Sequence, residues 1–289
     1  MRVVFGGRQP EPLRGAVALG RPRPPGVLRV RGGGHPVTAS PARPRAQSNV
    51  VGVALLLAIT VVALGTLTAA IGGIVSSNAA GANADRVATD LDDALRPVEA
   101  TGPDSDRVSF SQGELSVVER EVRVLDSSGV VETVQVDALV YEDGDHQVVF
   151  EAGAVVHRAG DGARMRSEPP ITASRGAGGV LVVGAPVLGA DRVSFTANQP
   201  TSLVLSTDVS HDRTDLGNGT YRVAVETTTP GPWDRYFQRQ GANVTTQDFD
   251  GDGVESVVAS YPGERTAYLV VHDMDLTIRQ EAAGGGTDA

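Results

Sequence analysis

The sequence predicts an α+β fold, in which one long N-terminal helix precedes an antiparallel β-rich domain. Two observations lead to this prediction. Residues 50–75 form an apolar run without a charged residue, and residues 98–280 contain many short Val-rich segments separated by Gly, Asp, Asn or Pro. An apolar run of this length is typical of a membrane-spanning helix, and short strands between turn residues are typical of antiparallel sheets. We therefore expect one transmembrane helix and one β domain.

The apolar run is long enough to cross a lipid bilayer. As an α-helix it would extend roughly 39 Å, which exceeds the roughly 30 Å thickness of the hydrocarbon core. A buried core helix is the alternative, but the run is too long and lacks the polar stripe that such a helix carries. Gly65, Ala69 and the Gly72-Gly73 pair are small enough to allow close contact with other helices.

The charges that flank the apolar run predict its orientation. Arg43 and Arg45 lie just before the run, whereas Asp85 and Asp90 follow it. Positively charged flanks remain in the cytoplasm as a rule. We therefore expect a single-pass protein of the cell membrane, with a cytoplasmic N-terminus, an extracellular β domain and membrane lipid as its first partner.

The helix is predicted to continue beyond the membrane, so that the whole helix covers residues 47–97. Apolar residues recur there at three- and four-residue steps, while charged residues occupy the other faces. Arg96-Pro97 should end the helix, because a proline disfavours helical backbone at the residue before it. The recurring residues form one stripe that we expect to pack on the β domain: Ala84, Val87, Ala88, Leu91 and Leu95.

Residues 98–280 are predicted to form the β domain, as a sandwich or as sheets packed around the helix. A short helix is predicted at Pro230–Arg239, where Trp233, Tyr236 and Phe237 share one face. These rings would either anchor the helix in the core or form a partner-binding patch. The predicted strands are 107–110, 114–118, 121–125, 130–136, 138–141, 147–151, 154–157, 179–183, 192–196, 201–207, 221–228, 254–261, 267–272 and 275–279.

The two ends of the chain have no pattern of a folded domain. Residues 1–46 hold eight prolines and few periodic apolar positions. They are either a leader or basic cytoplasmic tail, or an extension that results from a start site placed too early, in which case Val37 is the true initiator. Residues 281–289 are predicted to be a flexible tail.

Composition narrows the class of protein further. The chain has no cysteine, which excludes disulfides and thiolate metal sites. Nine of the 25 basic residues, all of them arginine, and one of the 35 acidic residues lie in residues 1–46, which leaves 16 against 34 and a net charge of −18 for the remainder. Such a charge argues against nucleic acid as a partner. This acidic composition without lysine resembles that of haloarchaeal proteins, and the alternative is a high-GC genome whose protein has an acidic surface.

The residues in front of the apolar run carry a family resemblance. Arg45, Ala46, Gln47 and Ser48 place a basic, a small and two polar residues directly before a long apolar helix. This arrangement resembles the leader of archaeal type IV pilins and archaellins. The resemblance implies that a prepilin-type peptidase cuts between Ala46 and Gln47, with Arg45 at the cytoplasmic face. Bacterial pilins often carry an acidic residue early in the mature helix, where this chain has Val51.

The remaining sequence resembles a haloarchaeal pilin-like family with a C-terminal domain of unassigned function, through the W-x-x-Y-F element from Trp233 to Phe237. The resemblance implies a pilin-like surface subunit, minor or accessory because the mature chain is large, with other pilin-like subunits as possible partners. The alternative is an unassembled single-pass surface protein whose β domain binds envelope partners or glycans. Neither a nucleotide-binding loop, a zinc-ligand spacing nor a serine-nucleophile motif occurs, so we expect no enzyme.

One acidic segment resembles a calcium-binding loop. Asp248, Asp250 and Asp252 alternate and are followed by Gly253, as at the start of an EF-hand loop. The twelfth position of that motif is Ala259, where a bidentate glutamate would be required. The alternative is a β-hairpin, in which residues 243–246 pair with residues 254–261 and the acidic residues form the turn. Ca²⁺ is therefore the one cofactor that the sequence suggests.

The sequence contains two glycosylation sequons and five histidines. Asn218-Gly219-Thr220 and Asn243-Val244-Thr245 are glycosylation sequons on the predicted outer side, although Asn218-Gly219 is also a typical turn. The five histidines show no metal-ligand spacing. His146 and His211 are predicted to lie in polar turns.

Overall fold

The structure is a computed structural model that describes residues 46–96, 100–176 and 178–281. These ranges contain a long helix, seventeen strands and one short helix, which confirms the predicted α+β class. By its internal contacts the chain divides between Ala58 and Ile59. The second unit contains the later part of the long helix together with all the described strands.

Helix α1 covers Ala46–Leu95, and helix α2 covers Pro230–Arg239. The strands, in chain order, are β1 Gly102–Phe110, β2 Gly113–Val118, β3 Glu121–Leu125, β4 Val130–Gln135, β5 Ala138–Asp143, β6 His146–Glu151, β7 Ala154–Ala159, β8 Gly162–Ser167, β9 Ile171–Ala173, β10 Val180–Val187, β11 Ser194–Ala197, β12 Thr201–Gly219, β13 Arg222–Glu226, β14 Asn243–Gln247, β15 Ser256–Ser260, β16 Arg265–Asp273 and β17 Thr277–Gln280.

The strands form three sheets. The first has the order β1-β12-β16-β10-β9, with β17 also paired to β12, and the second has the order β11-β2-β5-β6-β7-β8. The third has the order β14-β15-β13-β3-β4. Neighbouring strands are antiparallel, as predicted, except that β10 and β16 are parallel. Parallel partners need a long connection, and the segment between these two strands includes β11–β15 and α2.

Strand β12 is much longer than predicted. The expected strand ended at residue 207, but β12 continues to Gly219, pairing first with β1 and β17 and then with β16. A bulge lies between Asp215 and Gly217, where Gly217 has a φ of +80°. Asn218-Gly219 therefore lies in a strand next to a bulge, and the predicted turn at this dipeptide is wrong.

The core contains two large apolar clusters. One includes the stripe of α1, with Val87, Leu91 and Leu95 fully buried against residues such as Phe110 and Leu139. The other contains the three aromatic side chains of α2. Both the helical stripe and the core-facing position of Trp233 are confirmed, since Trp233 is completely buried.

The end of α2 shows why this helix stops where the sequence predicted. The N–H of Gly241 donates to the carbonyl of Gln238, and the N–H of Ala242 donates to that of Phe237. Gly241 has a φ of +84°, so this pair of bonds forms a glycine-terminated helix end. The chain continues from there into β14, and the last two residues of α2, Gln238 and Arg239, are exposed.

Candidate functional site

The N-terminal part of α1 is an exposed apolar surface. It is long and apolar enough to cross a membrane once, and the most apolar stretch contributes nothing to the described core. Leu56, Val61 and Leu64 are each more than half exposed, at 64%, 68% and 66%. In water this exposure would be costly, at about 25 cal/mol per Å² of apolar surface. The surface is therefore suited to a lipid environment.

Three hydroxyl groups in this part of α1 donate hydrogen bonds within the helix. The hydroxyls of Thr66 and Thr68 donate to the carbonyls of Ala63 and Leu64, each at 2.9 Å, and Ser76 donates to Gly73 at 3.0 Å. A polar group in hydrocarbon needs an internal partner because no water is present. These bonds make three polar residues compatible with a lipid environment.

The glycines of the segment leave open space on the helix surface. A Cβ atom added at Gly65, Gly72 or Gly73 would meet no atom within 4 Å. The structure therefore gives these glycines no packing role within one chain. Small residues of this kind let two apolar helices approach closely in a membrane.

The C-terminal part of α1 is held to the β domain by polar contacts at the edges of its apolar stripe. The Asn83 side chain and the Ser111 hydroxyl exchange hydrogen bonds of 2.9 and 3.1 Å. The Asp90 carboxylate accepts the backbone N–H of Ser109 at 3.0 Å, and burial raises the pKa of Asp90. The helix is thus fixed in rotation as well as packed.

Asp85 forms a third polar contact between α1 and the β domain, and its partners belong to the sheet that contains β8. Its carboxylate lies 2.8 Å from Arg166, 3.1 Å from Arg164 and 3.4 Å from Nδ1 of His157. Burial lowers the pKa of His157, which opposes protonation of this ring. Asp85, expected from sequence to mark the outer flank of the membrane segment, is also an ion-pair partner of the β domain.

The predicted processing residues lie at the start of the described chain. Ala46 and Gln47 are the first two residues of α1. Arg45 and the rest of the predicted leader lie outside the described residues, as do residues 282–289 of the predicted tail. Cleavage between Ala46 and Gln47 stays a prediction.

The acidic segment forms the turn of a β-hairpin. Strands β14 and β15 pair on either side of it, which confirms the hairpin. The Asp248 carboxylate accepts backbone N–H groups of Gly251 and Gly253, at 2.8 and 3.3 Å. Carboxylate atoms of Asp248, Asp250 and Asp252 lie within 4.8 Å of one another. Calcium binding stays a prediction that a calcium titration monitored by Trp233 fluorescence would test.

A buried arginine already neutralises part of this acidic turn. The Arg123 guanidinium donates to Asp250 at 2.9 Å and lies 3.5 Å from the buried Glu226. It also contacts Glu121. Burial raises the pKa of Glu226, and the two nearby arginines, Arg120 and Arg123, oppose that shift. A metal at Asp250 would have to compete with this ion pair.

Both predicted glycosylation residues are exposed. Asn218 lies in β12, and its side chain donates to Glu264 at 3.1 Å. Asn243 is the first residue of β14, at the edge of its sheet. Glycosylation of Asn218 and Asn243 stays a prediction. Mass spectrometry of the native protein would test it.

The histidines form two pairs that the sequence did not predict. His211 and His272 are directly opposite in β12 and β16, and their Nδ1 atoms lie 2.9 Å apart. His146 and His157 have ring centroids 5.9 Å apart. The predicted turn at His211 is wrong because that residue lies within a strand. Only the register of two distant strands could have indicated the first pair.

Glu151 is a buried acidic residue whose role the sequence did not predict. It accepts hydrogen bonds from Nε1 of Trp233 at 2.7 Å and from the Thr227 hydroxyl at 2.6 Å. Burial raises the pKa of Glu151, while these two donors oppose the shift. The carboxyl group thus ties α2 to the end of β6.

The fold and the exposed helix define a class of protein: a β-rich domain continuous with one helix that is long and apolar enough to span a membrane. The chain matches the DUF7289 family, described as a family of unknown function, over residues 45–277, and it belongs to this family. No curated protein and no solved structure matches the chain.

Proposed function

We propose that this protein is a pilin-like cell-surface subunit, of a minor or accessory kind, anchored by α1. The observation that carries the proposal is the division of one continuous helix into two parts. Residues 50–75 expose their apolar side chains, whereas Val87, Leu91 and Leu95 are fully buried in the β domain. One continuous helix therefore includes both a lipid-soluble segment and residues that pack in a folded domain, as a pilin subunit requires. The role is structural rather than catalytic.

The proposed orientation places the N-terminus in the cytoplasm and the β domain outside. The flanking arginines and aspartates support it. The cysteine-free chain allows a direct test by labelling Thr228→Cys, an exposed loop position, in whole cells with a membrane-impermeant maleimide. Labelling of intact cells supports the orientation. Labelling only after permeabilisation contradicts it, and the unmodified chain provides the blank.

Assembly is proposed to occur through the apolar helices, after a prepilin-type peptidase has removed the leader. The open surface at Gly65 and Gly72 supports close approach of a second helix. In a filament, apolar helices of neighbouring subunits would pack against one another as they leave the lipid. Other pilin-like subunits, rather than nucleic acid, are therefore the proposed partners.

Cysteine cross-linking tests the assembly proposal. Under mild oxidation in membranes, we expect Gly72→Cys to give disulfide-linked oligomers with itself or with other cysteine-bearing subunits. Thr228→Cys, at the same expression level, is the matched control and should remain monomeric. If Gly65→Cys and Gly72→Cys both stay monomeric, the unassembled single-pass surface protein, whose β domain binds envelope partners or glycans, becomes the better account.

A further inference from the structure

The β domain contains an arginine-lined cavity next to the end of α2. The cavity measures about 370 Å³, and Arg175, Arg239 and Arg265 contribute to its wall. The other lining residues are glycines, glutamines and a proline, so no carboxylate belongs to the described lining. Such a positive cavity is unexpected in a chain whose residues 47–289 carry an excess of acidic residues.

Arg265 is buried, and it has no acidic partner among the described residues. Only 2% of the residue is exposed. Its guanidinium donates to the carbonyls of Ser174 and Pro262, at 2.6 and 3.4 Å, and lies over the ring of Tyr261. The Nε atom has no hydrogen-bond partner, and Arg265 takes part in none of the ion pairs among the described residues.

The other buried arginine of the domain shows what is missing at Arg265. Arg123 is 5% exposed and contacts the carboxylates of Glu121, Glu226 and Asp250. A buried charge is costly unless an opposite charge and hydrogen bonds compensate it. The carbonyls around Arg265 satisfy some of its donors but do not neutralise it. An anion in the adjoining cavity would supply the missing charge.

The other two arginines can contribute to binding such an anion. The side chain of Arg239 is 57% exposed, and it forms an ion pair of 2.8 Å with Glu168, whose side chain is 65% exposed. An exposed ion pair of this kind contributes little and can be exchanged for a ligand. Arg175 is exposed as well and forms no ion pair in the described part of the chain. A Cβ atom at the lining residues Gly176 and Gly241 would meet nothing within 4 Å, which leaves the cavity open.

We propose that this cavity is an oxyanion-binding site for a carboxylate- or sulfate-bearing ligand, with acidic sugars of the cell envelope as its source. Planar guanidinium groups bind carboxylate and sulfate oxygens through paired hydrogen bonds. The cavity is within the usual size range for small ligands, about 300–1,000 Å³. The envelope source rests on the proposed outward orientation of the β domain. Binding itself requires neither processing of the leader nor assembly into a filament, so the proposal goes beyond the function proposed above.

Calorimetric titration of the full chain in detergent micelles tests the proposal. The probes are sodium sulfate, a tri-galacturonate and a neutral trisaccharide, all at one ionic strength. We expect both anions to bind and the neutral sugar not to bind. Tighter binding of the tri-galacturonate identifies acidic sugar as the source, whereas equal binding identifies a free oxyanion. If neither anion binds, or if the neutral sugar binds equally well, the proposal is overturned.

Variants distinguish the cavity from general charge attraction. We expect Arg175→Gln combined with Arg239→Gln to weaken anion binding at least about tenfold, because two charge-assisted contacts are lost. Arg213→Gln combined with Arg279→Gln removes the same charge elsewhere and should leave the affinity within about twofold. Arg265→Met should abolish binding, and its folding is checked by Trp233 fluorescence. Equal affinity in the cavity variant and the control variant would refute the assignment.

Discussion

At the scale of single residues, the β domain depends on a few buried charged groups whose partners come from distant parts of the chain. Glu151 is the clearest example, because it lies at the end of β6 and accepts hydrogen bonds from α2 and from the segment after β13. A buried carboxyl group of this kind costs free energy when ionised, and its two donors offset part of that cost. Its protonation should therefore affect stability.

Glu151→Ala should destabilise the fold by about 2–4 kcal/mol, since the Trp233 indole N–H and the Thr227 hydroxyl would lose a buried acceptor. Glu151→Gln keeps an acceptor and removes the charge. Because the folded-state pKa of Glu151 is raised, its contribution is present below the ordinary pKa of about 4.5 and is lost as pH rises through the folded value. In urea unfolding, the free energy of unfolding of Glu151→Gln should rise relative to that of the wild type between pH 4 and pH 7. A difference between the two proteins that stays constant with pH would argue against a raised pKa of Glu151.

Arg123 is a buried arginine that forms ion pairs with three acidic residues. Arg123→Ala would leave the buried Glu226 with only the more distant Arg120, at 3.8 Å. We expect a loss of about 3 kcal/mol in unfolding free energy, as for other broken buried ion pairs. Arg213→Ala, which removes an exposed arginine stacked on Tyr268, is the control and should cost about 1 kcal/mol or less. Equal losses in both variants would contradict the role of burial.

At the scale of elements, α1 determines how the domain and the apolar segment are connected. Its stripe packs in the same cluster as strands from two sheets, so the helix is part of the core rather than a tether. Its polar contacts through Asn83, Asp85 and Asp90 prevent rotation about the helix axis. A change in the stripe should therefore destabilise the whole β domain.

Leu91→Ala should lower the unfolding free energy of the β domain by about 2–5 kcal/mol, because it leaves a cavity at a fully buried position. Leu55→Ala removes the same atoms from a residue that is 62% exposed, and should change β-domain stability by about 0.5 kcal/mol or less in detergent. The single tryptophan, Trp233, reports unfolding of the domain in both variants. A comparable loss of unfolding free energy in the two variants would show that packing of the α1 stripe does not stabilise the β domain.

The helices could be predicted from local periodicity, whereas the features that depend on contacts between distant parts of the chain could not be predicted from the sequence. The α1 stripe follows from spacing within residues 84–95, and the aromatic face of α2 from spacing within residues 233–237. The second half of β12 is exposed and polar, so it has no alternating pattern, and it is a strand only because β16 pairs with it. The lack of a counter-charge at Arg265 likewise depends on which loops meet around it, which the sequence does not reveal.

At the scale of the whole molecule, we expect the stability of the protein to depend on salt, because of its acidic charge, and on lipid or detergent, because of its apolar helix. Residues 47–289 hold 16 arginines against 34 acidic residues. The β domain carries most of these charges, and like charges at its surface repel unless salt screens them. The apolar helix, in turn, requires lipid or detergent.

The folded β domain should therefore gain stability with salt. Between roughly 0.05 M and 2 M NaCl, where the screening length falls from more than 10 Å to below 3 Å, we expect the thermal midpoint to rise. Circular dichroism of the full chain in a non-ionic detergent measures it. The same midpoint at both salt concentrations would show that self-repulsion contributes little to the stability of this domain.

Processing of the leader is the step on which the pilin-like proposal depends most. Arg45→Glu removes a positive charge at the cytoplasmic interface, and Ala46→Trp places a large side chain at the proposed cleavage position. Both variants should insert normally and accumulate as uncut precursor in the membrane. Val53→Leu, within the apolar helix, is the control and should be processed at the wild-type rate.

Determination of the N-terminus of the native membrane-bound protein tests the pilin-like proposal. The protein is isolated from membranes of its own cells, and its first residues are determined by N-terminal sequencing and mass spectrometry. We predict that the chain begins at Gln47, the second residue of α1. A chain that retains Arg45 and Ala46 would contradict the pilin-like proposal and leave an uncleaved, single-pass surface protein in its place.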